Sequence, residues 1–301
     1  MVTVAACGRL SFDEVSTGDG SSGDAPTDPC ATVATRDWAL WPMPNTRDVG
    51  LPHQPSYTVG VDTVTDNITG LTWERDVDPI PRTAAIAHDF CASLILDGAC
   101  DWRLPTRVEL VSIVDYAVNT PAIDSTVFPS TPAAQFWSAT PDVSGTDVSW
   151  FVNFTDGLAD SVLGSEQHLV RCVRGGTAAP DARYQVNAED VLDMFTGLRW
   201  QRAVDAGTYN FADSAMLCAN LQIAGGGWRM PSIGELQTLV ETAVSGPSVD
   251  PVAFPSSPPD LFWTGSLRAF ATTDGWTVNF IRGFGFRDTG IGLRARCVRD
   301  N

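Results

Sequence analysis

The sequence predicts an α+β protein made of the same domain twice, and three observations carry that prediction. An ordered series of short motifs recurs at a nearly constant interval, each series runs from helix signals into strand signals, and each copy carries a matched pair of cysteines. Thr69-Gly70-Leu71-Thr72-Trp73 returns as Thr196-Gly197-Leu198-Arg199-Trp200 at an offset of 127 residues. Trp102-Arg103-Leu104-Pro105 and Trp150-Phe151-Val152-Asn153-Phe154 return at 126, and Arg171-Cys172-Val173-Arg174 returns at 125. Self-similarity held in order over such a span marks a duplication. The unit is about 120 residues long, an ordinary domain length. The chain therefore divides into a low-complexity start and tether (1–36), a Trp/Pro-rich lead-in strap (37–56), a first domain (57–176), a short linker (177–183) and a second domain (184–301). The strap, with Trp38 and Trp41, is expected to pack on the first domain.

Within each copy the elements follow in order. Strand-like segments at 57–64 and 184–186 lead to turns at 66–70 and 193–197, then to short strands through Trp73 and Trp200. A helix follows. In the second copy Phe211, Ala215 and Cys218 recur at three- and four-residue steps, which places the cysteine on the buried face. The second helix has the clearest start signal. Thr106 with Glu109 and Ser232 with Glu235 form S/T-x-x-E boxes, in which hydroxyl and carboxylate satisfy the first free backbone donors. Strands are expected at 136–139, 150–154 and 169–174 and at their equivalents in the second copy, which makes the class α+β.

Of the seven cysteines, Cys91 and Cys218 fall in the first helices and Cys172 and Cys297 in the closing strands. Bridges Cys91–Cys172 and Cys218–Cys297 are the reading that suits an exported protein, with reduced buried thiols as the alternative. Cys100 has no counterpart, and Cys30 is within reach to pair with it and fasten the strap. The start Val4-Ala5-Ala6-Cys7 resembles a bacterial lipoprotein processing site, with Cys7 as the lipidated residue. The polar run 15–29 behind it reads as a flexible tether. An export signal upstream of this start is expected, since residues 1–6 hold neither a basic nor a full apolar region.

Composition narrows the partners. The 301 residues include 19 basic side chains, all of them arginine, against 36 acidic ones, for a net charge of −17. A nucleic-acid partner is excluded by the lack of a basic face. No apolar run approaches the roughly 18 residues that span a bilayer, so membrane attachment is expected only through a lipid on Cys7.

The series T-G-L-x-W, helix cysteine, W-R-[LM]-P-[TS]-x-x-E-L, F-W-[ST], W-x-V-N-F and R-C-V-R resembles the Lcl C-terminal domain family, found in secreted and surface bacterial proteins. The resemblance covers about 57–174 and 184–299. It implies a C-type-lectin-like fold with a bridge from first helix to last strand in each copy. It also implies a non-enzymatic adhesion or binding module that recognises a carbohydrate or another envelope component. The expected location is the bacterial outer membrane, cell surface or periplasm. The W-R-L-P-T-x-x-E segment is also similar to sulfatase-modifying, formylglycine-generating enzymes, and a structural envelope scaffold is a third reading.

No catalytic constellation is expected. His53, His88 and His168 lack metal-ligand spacing, and no H-E-x-x-H, P-loop or G-x-S-x-G motif occurs. No cofactor is expected. Asp62, Asp66, Asp76 and Asp78 offer oxygens for a structural Ca²⁺ but complete no calcium loop. Arg103 with Glu109 and Arg229 with Glu235 would suit an active site, but residues identical in both copies are what the fold itself requires. A site special to this protein belongs where the copies differ: 142–149 against 267–275, and 156–167 against 282–290. Arg282, Phe284, Phe286 and Arg287 form an aromatic and basic loop suited to stacking on a sugar or holding an anionic group. The matching loop of the first copy carries Asp156, Asp160 and Glu166. Asn153 and Asn279 are further ligand candidates, with strand packing as the competing role.

Overall fold

In the first copy, strands β1 (Tyr57–Val59), β2 (Thr63–Asp66) and β3 (Thr72–Glu74) form consecutive antiparallel hairpins. The segment expected as one strand over 57–64 is thus two, broken where Gly60 N donates to Thr63 O. Asp66 closes the next turn by accepting from Ile68 N at 2.9 Å, and Gly70 takes the left-handed conformation (φ +71°) that ends it. Helix α1 (Ala84–Ala92), helix α2 (Arg107–Ser112) and an antiparallel sheet of β4 (Gln135–Pro141), β5 (Val148–Asn153) and β6 (Leu158–Leu163) follow. Strand β7 (Val173–Arg174) returns to pair with β3.

The second copy repeats this order. Strands β8 (Tyr184–Val186), β9 (Asp190–Asp193) and β10 (Leu198–Gln201) precede helices α3 (Phe211–Ala219) and α4 (Ile233–Thr238). Strands β11 (Leu261–Leu267), β12 (Gly275–Asn279) and β13 (Phe284–Arg287) make the second sheet, and β14 (Val298–Asp300) closes on β10. The architecture comes from a computed structural model that describes residues 42–47, 50–176, 182–244, 246–269, 275–287 and 292–301, with the side chains of Phe286 and Arg287 left aside. Cys7, Cys30, Trp38 and Trp41 lie outside the described residues. No helix among the described residues is long and apolar enough to cross a membrane.

Two sequence expectations change here. The variable segments 156–167 and 282–290, read as loops, contain the edge strands β6 and β13. The closing strand expected over 169–174 is regular only at Val173–Arg174. Before it the backbone serves Arg171, a buried guanidinium that donates to Glu74 O, to Arg75 O at 2.9 Å and to Thr131 Oγ1 at 2.5 Å. Arg296 repeats this with the carbonyls of Gln201 and Arg202 and with Ser257 Oγ. Burial pushes the two guanidinium groups down, to about 10 for Arg171 and about 9 for Arg296.

Disulfides Cys91–Cys172 and Cys218–Cys297 tie α1 and α3 to the start of the closing strands. Each sits in a small apolar cluster of its own, with Trp102 and Trp137 in the first copy and Trp228 and Trp263 in the second. Cys100 is disulfide-bonded as well. The main core, by contrast, is common to both copies. Helix α2 packs against α4 and β6 against β13, so equivalent elements meet one another as in an isologous dimer. All six residues of α2 and all six of α4 are buried. Helices this short hold in water only through such packing.

The junction is also where the copies have diverged. Arg107 of α2 stands where α4 has Ile233, and it donates from Nη1 to Gln237 Oε1 and from Nη2 to Gln237 O, both at 2.8 Å. Gln237 stands where α2 has Val111, and its Nε2 reaches Tyr116 Oη at 3.1 Å. Gly234 replaces Val108, and the room it leaves is taken by Met43 of the strap, whose Cγ would lie 3.0 Å from a Cβ at that position. Asn45 Nδ2 donates to Glu235 Oε1 at 3.1 Å, whereas Arg47 reaches Asp124 of the first copy. The described part of the strap thus bridges both domains rather than packing on the first alone.

Burial raises the carboxyls of Asp66, Glu74, Asp115, Asp160 and Glu241 above their ordinary range. Each therefore binds its proton more tightly folded than unfolded. Their contribution to stability is fully present below the unfolded values and fades as pH rises through the folded ones. Relief of the −17 net charge acts in the same direction. His168, whose proton affinity burial lowers, acts the other way below its ordinary value of 6.5, one imidazole against five carboxyls. The melting temperature is expected to rise as pH is lowered toward the ordinary carboxylate range of about 4; scanning calorimetry at constant ionic strength checks it.

Candidate functional site

A cleft of about 510 Å³ opens at the junction of the two domains. One wall belongs to the first copy: Asp142, Val143 and Ser144 after β4, Val148 and Trp150 of β5, and 160–163 of β6. The other belongs to the second: Thr242, Val244 and Ser248 after α4, with Arg282 and Phe284 from the β12–β13 hairpin. Three of the four segments in which the copies differ most therefore converge on one space.

The strand pattern explains each position. In β5 and β6, Trp150 pairs with Ser161 and Phe151 with Asp160, so the edge strand presents Asp160 and Ser161 beside the tryptophan. Ser161 Oγ donates to Asp142 Oδ2 at 2.5 Å, Ser161 N to Asp160 Oδ1 at 2.7 Å and Ser144 N to Asp142 Oδ1 at 2.8 Å. These bonds place both carboxylates on one wall. Burial, followed by the nearby Asp142 charge, pushes the Asp160 carboxyl up against the lowering effect of the Ser161 N–H, and among the described residues it has no ion-pair partner. Across the cleft Arg282 is exposed and, among the described residues, has neither an ion-pair nor a hydrogen-bond partner.

The hairpin that carries Arg282 is organised by Asn279. Its side-chain oxygen accepts from Ile281 N at 2.8 Å and its carbonyl from Gly283 N at 2.6 Å. Gly283 has φ +86°, and a Cβ there would collide with Val240, so glycine is what lets the turn approach. Asn153 does the same in the first copy, accepting from Thr155 N at 2.9 Å. Neither asparagine lines the cleft; both shape the turn after their strand. Phe286 and Arg287 belong to β13 by backbone, and their side chains lie outside the description.

Trp150 forms the floor and is only 1 % exposed. Phe284 lies tilted beside it with ring centroids 5.2 Å apart, and the Arg107 guanidinium carbon lies 5.2 Å from its ring centre. Its indole N–H is buried without an acceptor, as is that of its counterpart Trp276, so this belongs to the repeated fold. The two positions differ in what stands next to them. Tyr116 packs edge-on to Trp276 with centroids 5.5 Å apart, whereas its counterpart Thr242 lines the cleft together with Trp150. Thr242 is not among the candidates singled out from the sequence, and the ring in one copy against a small hydroxyl in the other is the signal that could have found it.

The Arg–carboxylate pairs that resemble an active site are committed to the fold. Arg103 reaches Glu109 through two bonds of 2.6 and 2.8 Å, and Arg229 reaches Glu235 through two of 2.7 and 2.8 Å. Both glutamates also complete their capping boxes. His168 is buried against Trp137, which lowers its affinity for a proton, and His88 is exposed. Among the described residues no three His, Cys, Asp or Glu side chains gather to hold a metal ion. Of the candidate Ca²⁺ ligands, Asp76 accepts from Ser130 and Asp78 pairs with Arg82.

The family model described as the Lcl C-terminal domain matches residues 62–174 and again 189–299. The chain belongs to this family. Its two Lcl C-terminal domains share one core, and the cleft lies between them. This is not a known enzyme family. No curated protein matches the chain.

Proposed function

We propose that this tandem Lcl C-terminal domain protein is an exported binding module of the bacterial cell envelope that receives its ligand in the cleft between the domains. The observation that carries the reading is convergence: three segments in which the copies differ most, two from one domain and one from the other, meet on a single space. Sites between domains are a preferred location for ligands, and about 510 Å³ is within the range of such pockets. The disulfides support an oxidising, exported environment. With the helix and closing-strand cysteines bridged in both copies, the redox pair that a sulfatase-modifying activity would need has no source among them.

Thr242→Tyr tests the reading, because it gives the cleft the ring that the other copy carries at that position. Binding to arrayed cell-envelope polysaccharides and peptides is expected to fall at least about tenfold, with the melting temperature unchanged. Undiminished binding by the variant, or no binding to the array by the wild type, overturns the proposal. Attachment to the envelope through a lipid on Cys7 is part of the same reading. An exported protein whose mass lacks a diacylglyceryl group at Cys7 removes that part.

A further inference from the structure

The cleft carries charges of opposite sign on its two domains, and among the described residues neither Asp142, Asp160 nor Arg282 has an ion-pair partner. Asp142 and Asp160 stand together on the wall of the first domain, close enough that the Asp142 charge acts on the Asp160 carboxyl. Arg282 stands on the wall of the second domain and makes no ion pair or hydrogen bond among the described residues. In a chain of net charge −17, an arginine left without a carboxylate is set apart from the many that are paired. Around the same space Val143, Leu163 and Val244 are exposed, at 53 %, 57 % and 38 %.

Several ligand classes fit this poorly. A neutral sugar gains much of its affinity by laying a ring face on an open aromatic face, and Trp150 is 1 % exposed beneath Arg107 and Phe284. A polyanion meets two carboxylates. A divalent cation takes six or more oxygens, and among the described residues the cleft offers it only two carboxylates. A simple cation satisfies one wall and leaves Arg282 unmatched.

Resting on the reading of the cleft as the ligand site, we propose that its ligand is dipolar and peptide-like, with an ammonium group on the Asp142 and Asp160 wall and a carboxylate on Arg282. Apolar side chains of the ligand then cover Val143, Leu163 and Val244. Arginine suits the anionic end because its planar fork meets a carboxylate through two parallel bonds. Charge at both ends also sets the orientation in which the ligand enters.

The test titrates the full chain, by NMR or calorimetry, with the dipeptide leucyl-leucine, its N-acetylated form, its C-terminal amide and the neutral tetrasaccharide cellotetraose. Leucyl-leucine is expected to bind, and blocking either end is expected to weaken it about tenfold. Arg282→Glu is expected to weaken leucyl-leucine while reducing the advantage it has over the amide. The variant changes an exposed turn residue, and its melting temperature serves as a control for folding. Equal binding of the blocked and free dipeptides overturns the proposal, as does absence of dipeptide binding at millimolar concentration. If cellotetraose binds instead and Thr242→Tyr abolishes it, the dipolar class fails while the cleft stands as the binding site. If leucyl-leucine binds but Thr242→Tyr leaves it unchanged, the site itself is misplaced and both proposals fall.

Discussion

Replacing Cys218 and Cys297 together by alanine is expected to cost about 4–5 kcal/mol of unfolding free energy. The bridge closes a loop of 79 residues, and the chain-entropy relation for a loop of that length gives the figure. Against the roughly 5–15 kcal/mol that holds a typical protein folded, this is a large share. Removing both sulfurs avoids leaving a lone thiol beside Trp228 and Trp263 in the small cluster around the bridge. The damage should not stay in the second domain. The main core runs through both copies, and Leu236, Leu239 and Phe280 belong to the same cluster as Leu110, Ile113 and Phe154. Urea unfolding followed by tryptophan fluorescence is expected to show one transition moved to lower denaturant. Two separated transitions would show that the domains unfold independently in spite of the common core. A shift below about 1 kcal/mol would mean that the denatured chain is already constrained without the bridge.

Glu235→Ala is expected to be nearly as damaging, at about 3–5 kcal/mol. Glu235 is fully buried, takes both Arg229 nitrogens and Ser232 N, and accepts from Asn45 of the strap. Truncation leaves a guanidinium and two other donors without their acceptor, and breaking a buried pair on one side carries that order of penalty. Glu109→Ala in the first copy removes an equivalent pair and cap, and in place of the strap contact it loses the bond from Thr106 Oγ1 at 3.1 Å, so a similar cost is expected. Chemical denaturation of the two variants measures the difference. A clearly larger loss for Glu235→Ala would mean that the Asn45 bond is worth more than the bond from Thr106 Oγ1. The same geometry shows why this arginine and carboxylate are not a catalytic pair: every strong acceptor position of the glutamate is already used.

Much of the fold was legible in the residues because it is written locally. The S/T-x-x-E boxes set both short helix starts, and the structure closes them through Thr106 with Glu109 and Ser232 with Glu235. Matched cysteines foretold both bridges, since a duplicated domain repeats its cross-links. Variable stretches were harder. Leu158 to Leu163 alternates weakly, and an edge strand needs only one partner, so segments that differ between copies read as loops while forming β6 and β13. For the candidate site, divergence pointed to Arg282 and Phe284, and both line the cleft. Asn153 and Asn279 were singled out by their repetition, which reflects the turn each one shapes. Asp142 and Asp160 lay within stretches already marked as different, but nothing in their spacing showed that they share a wall. Thr242 gave a signal only when set beside Tyr116.

Read alone, the order of residues determines the duplication and the helix starts and points to the bridges, because each rests on neighbours in sequence or on the repeat. Only the tertiary structure decides how the two copies face each other. Arg107 meets Gln237 across 130 residues of chain, and a contact that distant depends on which faces the folded domains have left to bury. The cleft follows from that choice. Its opposed charges belong to different domains, and neither domain by itself forms the cleft.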